Sequence, residues 1–276
     1  MYKVKEVSSP NKRDILVRTF VIGDIHGNYK GLLQVLERSG FDMEQDMLIT
    51  LGDIVDGCPD SYQCVEKLME IPNRIDIRGN HDKWFYDWMD GKGHEPKWAQ
   101  GGLATVKSYA KAHSRPLHAH KSYERDMFDR PRPVYRVNFF PYQITVNHKE
   151  FFHKQAKFYV DDKNRAFVHA GYTHPKGLGH EDPYIYMWTR ELWEKHAMIP
   201  SQSIPKLLKP YDKIFIGHTQ TIDWDETKPM LRYNTWNLDT GAGHPKGKLT
   251  IMNVDTEEYW QSDLTTDLYP DYTYDR

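Results

Sequence analysis

Five short polar clusters fall in order along this chain, and most of them close an apolar, strand-like run. They are Gly23-Asp24-Ile25-His26-Gly27, Gly52-Asp53-Ile54-Val55-Asp56, Gly79-Asn80-His81-Asp82, His169-Ala170-Gly171 and Gly217-His218-Thr219. Phe20-Val21-Ile22 stops at Gly23, Met47 to Leu51 stops at Gly52, and Ile75 and Ile77 alternate with polar residues up to Gly79. Helical periodicity fills the gaps. Tyr29, Leu32, Leu33 and Leu36 share one face before Gly40, and Asp60 is a candidate N-cap for a helix carrying Val65, Leu68 and Met69. Strand and helix signals in alternation predict an α/β fold in which the polar clusters gather at the carboxyl ends of strands.

The chain reads as one domain, residues 1–276, with a less regular middle. Trp84, Phe85 and Trp88 are in helical phase, followed by Gly101-Gly102 and a His- and Pro-bearing stretch; a small helical, cap-like insertion is expected over 83–135. Strands are expected over Phe139–Val146, Lys149–Val160, Arg165–Val168, Lys213–Ile216 and Leu249–Val254, and the acidic, Tyr-rich tail 264–276 is expected to be loosely held. A net charge of −2 offers no global field for a nucleic acid duplex or an anionic membrane. No apolar run approaches the ~18–20 residues that cross a bilayer. The polar opening MYKVKEVSSPNKRD lacks the apolar segment of a signal peptide, and Cys58 and Cys64 are too few for a disulfide framework, so a cytoplasmic location is expected.

The clusters supply Asp, Asn and His, the side chains that can hold two divalent metals side by side. Asp24 and His26, two residues apart, can face one way in an extended segment and suit a first metal. Asp53 is the natural carboxylate to bridge both, and Asn80, His169 and His218 complete a second metal. Carboxylate, amide and imidazole together favour Mn, Fe or Zn over a thiolate-seeking ion. Two such ions ~3.5–4 Å apart can activate a bridging water and clamp phosphoryl oxygens during in-line attack. His81, next to Asn80, can then protonate the leaving group, and Asp56 can orient the far side of its ring.

The set GDIHG, GDIVD, RGNHD, HAG and GHT resembles the phosphoprotein phosphatase family of calcineurin-like metallophosphoesterases, most of all its phage and bacterial branch. FDMEQDMLITLGD, Trp188-Thr189-Arg190-Glu191, KIFIGHT and Leu238-Asp239-Thr240-Gly241-Ala242 join the resemblance, which spans roughly residues 15–255. It implies a four-layer α/β/β/α sandwich and an Mn-activated serine/threonine phosphatase acting on a phosphorylated protein or a small phosphoester. It also implies metal ligands at Asp24, His26, Asp53, Asn80, His169 and His218, an acid pair at His81 and Asp56, and a phosphate-binding arginine at Arg190.

Two positions depart from the family pattern. Gly57 stands where the family has an arginine that grips phosphate, a charge-assisted contact worth ~1.5–3 kcal/mol. Asp82 stands where it favours Glu, and Gly-Asn-His-Asp also occurs in dinucleoside tetraphosphate hydrolases. That alternative, hydrolysis of dinucleoside polyphosphates or other small nucleotides, stays open, as does a weakly catalytic metal-binding interaction module. Trp84, Trp88 and Trp98 could stack on a base, although helical phase favours core packing.

Overall fold

The computed structural model describes residues 17–92, 100–125 and 128–272. Trp98, the opening segment 1–14 and residues 273–276 of the expected tail lie outside them. Two five-stranded sheets form the centre. In the first, β1 (Thr19–Ile22), β2 (Met47–Thr50) and β3 (Arg74–Asp76) run parallel, and β11 (Thr250–Asn253) and β12 (Tyr259–Gln261) extend the β1 edge antiparallel. In the second, β7 (Arg165–Phe167), β8 (Lys213–Ile216) and β10 (Thr235–Asn237) are parallel, flanked by the antiparallel edges β6 (Tyr159–Val160) and β9 (Met230–Arg232).

The side-chain period of two sorts the strands into layers. Phe20, Ile22, Leu48 and Ile251 face the helices α1 (Tyr29–Arg38) and α2 (Ser61–Met69) in one core. The alternate residues Val21, Ile49 and Met252 meet Phe167 and Phe215 of the second sheet in another. Ala166, Ile214 and Ile216 face outward into a third, built on Tyr186, Leu192 and Trp193. This is the expected four-layer sandwich, and it explains why the central strands read as unbroken apolar runs: both faces are buried.

Three expectations about the remaining elements are corrected. Helices α3 (Asn80–Met89) and α4 (Gly102–Ala112), within the stretch read as a cap-like insertion, belong to the helical layer itself: Trp84, Phe85, Trp88, Val106 and Tyr109 all enter the first core. The hairpin β4 (Ala119–Arg125) with β5 (Pro131–Val137) follows, its first strand exposed along most of its length. Phe139–Val146 and most of Lys149–Val160 are not strands; they form a turn of 3-10 helix, Pro141–Gln143, and α5 (Val146–Lys154). His148, Phe151 and Phe152 recur at helical spacing and are the buried face of α5, so core packing overrides their β-propensity. The segment 264–272 is not loose. Helix α6 (Thr265–Leu268) packs on α1, where the Lys30 amide donates to the Tyr269 hydroxyl (3.0 Å) and Lys30 Nζ to the Leu268 carbonyl (2.6 Å).

Candidate metal centre

Every cluster lands where a parallel strand ends. Asp24 and His26 follow β1, Asp53 and Asp56 follow β2, Asn80 and His81 open α3 after β3, His169 follows β7 and His218 follows β8. Close contacts with two carboxylates leave no room for a side chain at two glycines. A Cβ on Gly79 would lie 2.0 Å from Asp53 Oδ1, and one on Gly217 would lie 2.0 Å from Asp24 Oδ1.

Asp24, His26, Asp53, Asn80, His81, Arg190 and His218 line one cavity of about 290 Å³. His169 is fully buried beside it, its Nε2 3.4 Å from Asp53 Oδ2 and 3.0 Å from Asn80 Oδ1. His26 Nε2 lies 3.8 Å from both Asp24 and Asp53. Donor atoms of Asp24, His26 and Asp53, and of Asp53, His169 and His218, fall into two groups within 4.8 Å that share Asp53. His169 Nδ1 donates to the Leu51 carbonyl (2.8 Å) and His26 Nδ1 to that of Asp56 (2.9 Å). A carbonyl only accepts, so each Nδ1 carries the proton and each Nε2 is presented to the carboxylates, the arrangement that orients metal-ligating imidazoles. The donor set therefore fits two divalent cations around a shared carboxylate.

The electrostatics agree. Burial pushes Asp24 well above the ordinary carboxylate range, and repulsion from Asp239 adds to it. Burial would also raise Asp53, but the imidazoles of His169 and His81 hold it well below that range. For His169, burial would favour the neutral ring, and the neighbouring Asp53 and Asp24 override this to bring it to about 10. Desolvation and the His169 charge depress His218. The pocket thus seeks positive charge around Asp53.

His81 Nδ1 donates to Asp56 Oδ2 at 2.9 Å, and its backbone N–H donates to Asp53 Oδ1 at 2.9 Å. Burial raises Asp56, opposed by its hydrogen bonds to His81 and Thr105. Asp82 is buried and raised to about 6, first by burial and then by Asp53. Its carboxylate accepts from the N–H groups of Ile54 (2.8 Å) and Gly79 (3.2 Å) and from Gln155 (2.9 Å), tying the Asp53 and Asn80 loops together. Arg78 is anchored elsewhere, donating to the carbonyls of Phe152 (2.5 Å) and His153 (3.1 Å).

Sequence reasoning missed several groups at this cavity. Asp239 lines it and is buried; its motif was visible, but no role attached to its carboxylate. Trp188 forms a wall with Trp84, expected from helical phase to pack in the core: their rings are 5.2 Å apart, Tyr184 stacks on Trp188 at 5.6 Å, and the His81 ring lies 4.8 Å from Trp84. Trp88 instead packs in the core against Phe85 and Phe139.

A family model described as calcineurin-like phosphoesterase matches residues 17–222. Serine/threonine-protein phosphatase 1 of Salmonella typhimurium is 40% identical over 68 residues, 25% of this chain and 31% of that relative. The symmetrical bis(5'-nucleosyl)-tetraphosphatase of Buchnera aphidicola is 42% identical over 65 residues, 23% of this chain and 24% of that relative. The chain thus matches less than a third of the length of either. Among solved structures, one provisionally assigned as a diadenosine tetraphosphatase superposes with a TM-score of 0.54 at 17% identity, covering 90% of this chain and 94% of the other. A cold-active protein-tyrosine phosphatase of Shewanella gives 0.52 at 12% identity, covering 90% and 81%. At these identities the likeness is one of fold.

Proposed function

The chain belongs to the calcineurin-like phosphoesterases, and on that premise we propose that it is a phosphomonoesterase of the phosphoprotein phosphatase kind, acting on phosphoserine or phosphothreonine in proteins. The observation that carries this reading is the His81–Asp56 contact at 2.9 Å on the edge of a cavity floored by a shared carboxylate. An alkoxide leaving group needs a proton, and this is a group placed to give one. Asp24 and His26 would hold one ion, Asn80, His169 and His218 the other, with Asp53 shared. Two divalent ions, most simply manganese, with iron or zinc as alternatives, would supply an activated water and Lewis-acid contacts to the phosphoryl oxygens. Arg190 would bind phosphate from the cavity mouth. His81 would protonate the departing oxygen while Asp56 fixes its tautomer. Gly-His-Thr-Gln, with no second histidine two residues after His218, supports the phosphoprotein phosphatase pattern. Buried thiols at Cys58 and Cys64 suit a reducing, cytoplasmic setting. Among the described residues no helix is long and apolar enough to cross a membrane.

The aromatic wall favours a second reading, hydrolysis of dinucleoside tetraphosphates, since Trp188 and Tyr184 could stack on a nucleobase. One panel separates the two: phosphoserine and phosphothreonine peptides, p-nitrophenyl phosphate, dinucleoside tetraphosphates and cyclic nucleotides, each with Mn²⁺. Phosphopeptide turnover should dominate, and His81→Asn should lower its kcat by about 10²–10⁴-fold. Preference for the dinucleoside polyphosphate, lost on Trp188→Leu, would install the second reading.

A further inference from the structure

Helix α4 reaches the acid from outside every motif that marks the site. A threonine inside a helix usually returns its hydroxyl to the carbonyl one turn back. The Thr105 hydroxyl, fully buried, instead donates to Asp56 Oδ1 at 2.5 Å and accepts from the Asp56 backbone N–H at 2.9 Å. Ser61 Oγ lies 3.2 Å from it and, with the threonine proton committed to Asp56, is the donor of that pair. The other Asp56 oxygen meets His81 Nδ1. Asp56 is thus gripped at both its backbone and its carboxylate by one side chain, at a position with φ +68°.

That grip depends on a close approach. Gly101, at the start of α4, has φ +84°, and a Cβ there would lie 2.7 Å from Gly57 N and 3.2 Å from Asp56 Cβ. Gly57 itself has φ +110°. With glycine on both sides, the first turn of α4 lies against the Asp56 loop.

We infer that Thr105 is a positioning residue for the acid: it holds Asp56, and through Asp56 the ring of His81. This rests on the reading of His81 as the proton donor. As the oxygen of the attacking water bonds to phosphorus and the bond from phosphorus to the leaving oxygen breaks, that leaving oxygen would take the proton from His81 Nε2. The Nδ1 proton stays on the ring, donated to Asp56 Oδ2. A carboxylate free to rotate would swing the ring away from the departing oxygen, so the loss should scale with how badly the leaving group needs a proton.

The test uses Thr105→Val, which keeps shape and removes the hydroxyl, and Thr105→Ser, which restores it. With Mn²⁺ bound, Thr105→Val should lower kcat on an alkyl phosphate by about 10-fold or more, part of the 10²–10⁴ that a general acid supplies. On p-nitrophenyl phosphate, whose phenolate leaves unprotonated, the loss should stay within about threefold. Thr105→Ser should recover both. Equal losses on the two esters, or failure of the serine variant to recover, would overturn the assignment. An independent readout needs no turnover: the low-field proton signal of His81 Nδ1–H, identified by its absence in His81→Asn, should shift or broaden in Thr105→Val and persist in Thr105→Ser. An unchanged signal in Thr105→Val would also overturn it. A chain that turned over none of the esters would defeat the phosphoesterase reading, while the imidazole signal would still decide for or against Thr105.

Discussion

His26, Asp53, Asp56 and His218 have φ between +49° and +68°, a conformation that costs a non-glycine residue about 1–3 kcal/mol. Four strained residues in one cluster mean that the surrounding hydrogen bonds, not local preference, set their geometry. Gly57 shows what this does to a familiar contact. Its Cβ position faces His26 Cβ at 3.2 Å and the Tyr272 hydroxyl at 3.6 Å. It lines a separate cavity with Lys30, Leu103 and Tyr269, away from Arg190. An arginine built there would not point at a phosphate in the metal cavity. Gly57→Arg should therefore leave KM for p-nitrophenyl phosphate no better and lower stability by about 1–3 kcal/mol, measured by denaturant unfolding. A lower KM would show that the loop can turn the side chain into the site. The candidate ligands were legible in the sequence because each sits in a short turn whose glycines announce it. Thr105 was not, since its partner lies 49 positions away and its neighbours look like any helix.

At the scale of elements, α5 shows where sequence reading failed and what the packing does instead. Phe151 and Phe152 read as strand residues, yet α5 docks on the α2–α4 layer through His148. Its ring stacks on Tyr62 at 4.8 Å, meets the Tyr109 hydroxyl at 2.8 Å and contacts Glu66 Oε1 at 2.6 Å. Burial pushes the His148 pKa down, a stronger effect here than the pull of Glu66. The folded state then binds fewer protons than the unfolded chain, so this stabilisation is present above the ordinary imidazole value of 6.5 and lost as the pH falls through the lowered one. Tm should drop between pH 7.5 and 5.5. His148→Phe should start from a lower Tm, with Tyr109 left unpaired, but show a smaller drop. An undiminished drop in that variant would assign the acid sensitivity to other groups. The central strands, by contrast, were legible as apolar runs because both their faces are buried, whereas the four layers were implied only by the family resemblance and the strand order emerged with the fold.

At the scale of the molecule, the site joins the two sheets. Asp24, His26, Asp53 and Asn80 come from the first and His169 and His218 from the second. The protein bonds across that junction include His169 Nδ1 to the Leu51 carbonyl and the His218 N–H to Asp24 at 3.2 Å. Asp24 and Asp239 repel there, which is part of why Asp24 is raised. Cations held between the sheets would relieve that repulsion and add bonds that exist only in the folded state, so metal binding should appear as stability. An ion at 100 times its Kd contributes about 2.7 kcal/mol, which for a chain of this size corresponds to roughly 5–10 °C in Tm. Scanning calorimetry after chelation and again after addition of Mn²⁺ should show that rise. Asp53→Asn, which weakens the ligand shared by both groups, should lose most of it. Asp271→Asn, at a carboxylate that lines the other cavity and not this one, should keep it. A shift of equal size in Asp53→Asn would place the stabilising ion somewhere other than between the sheets.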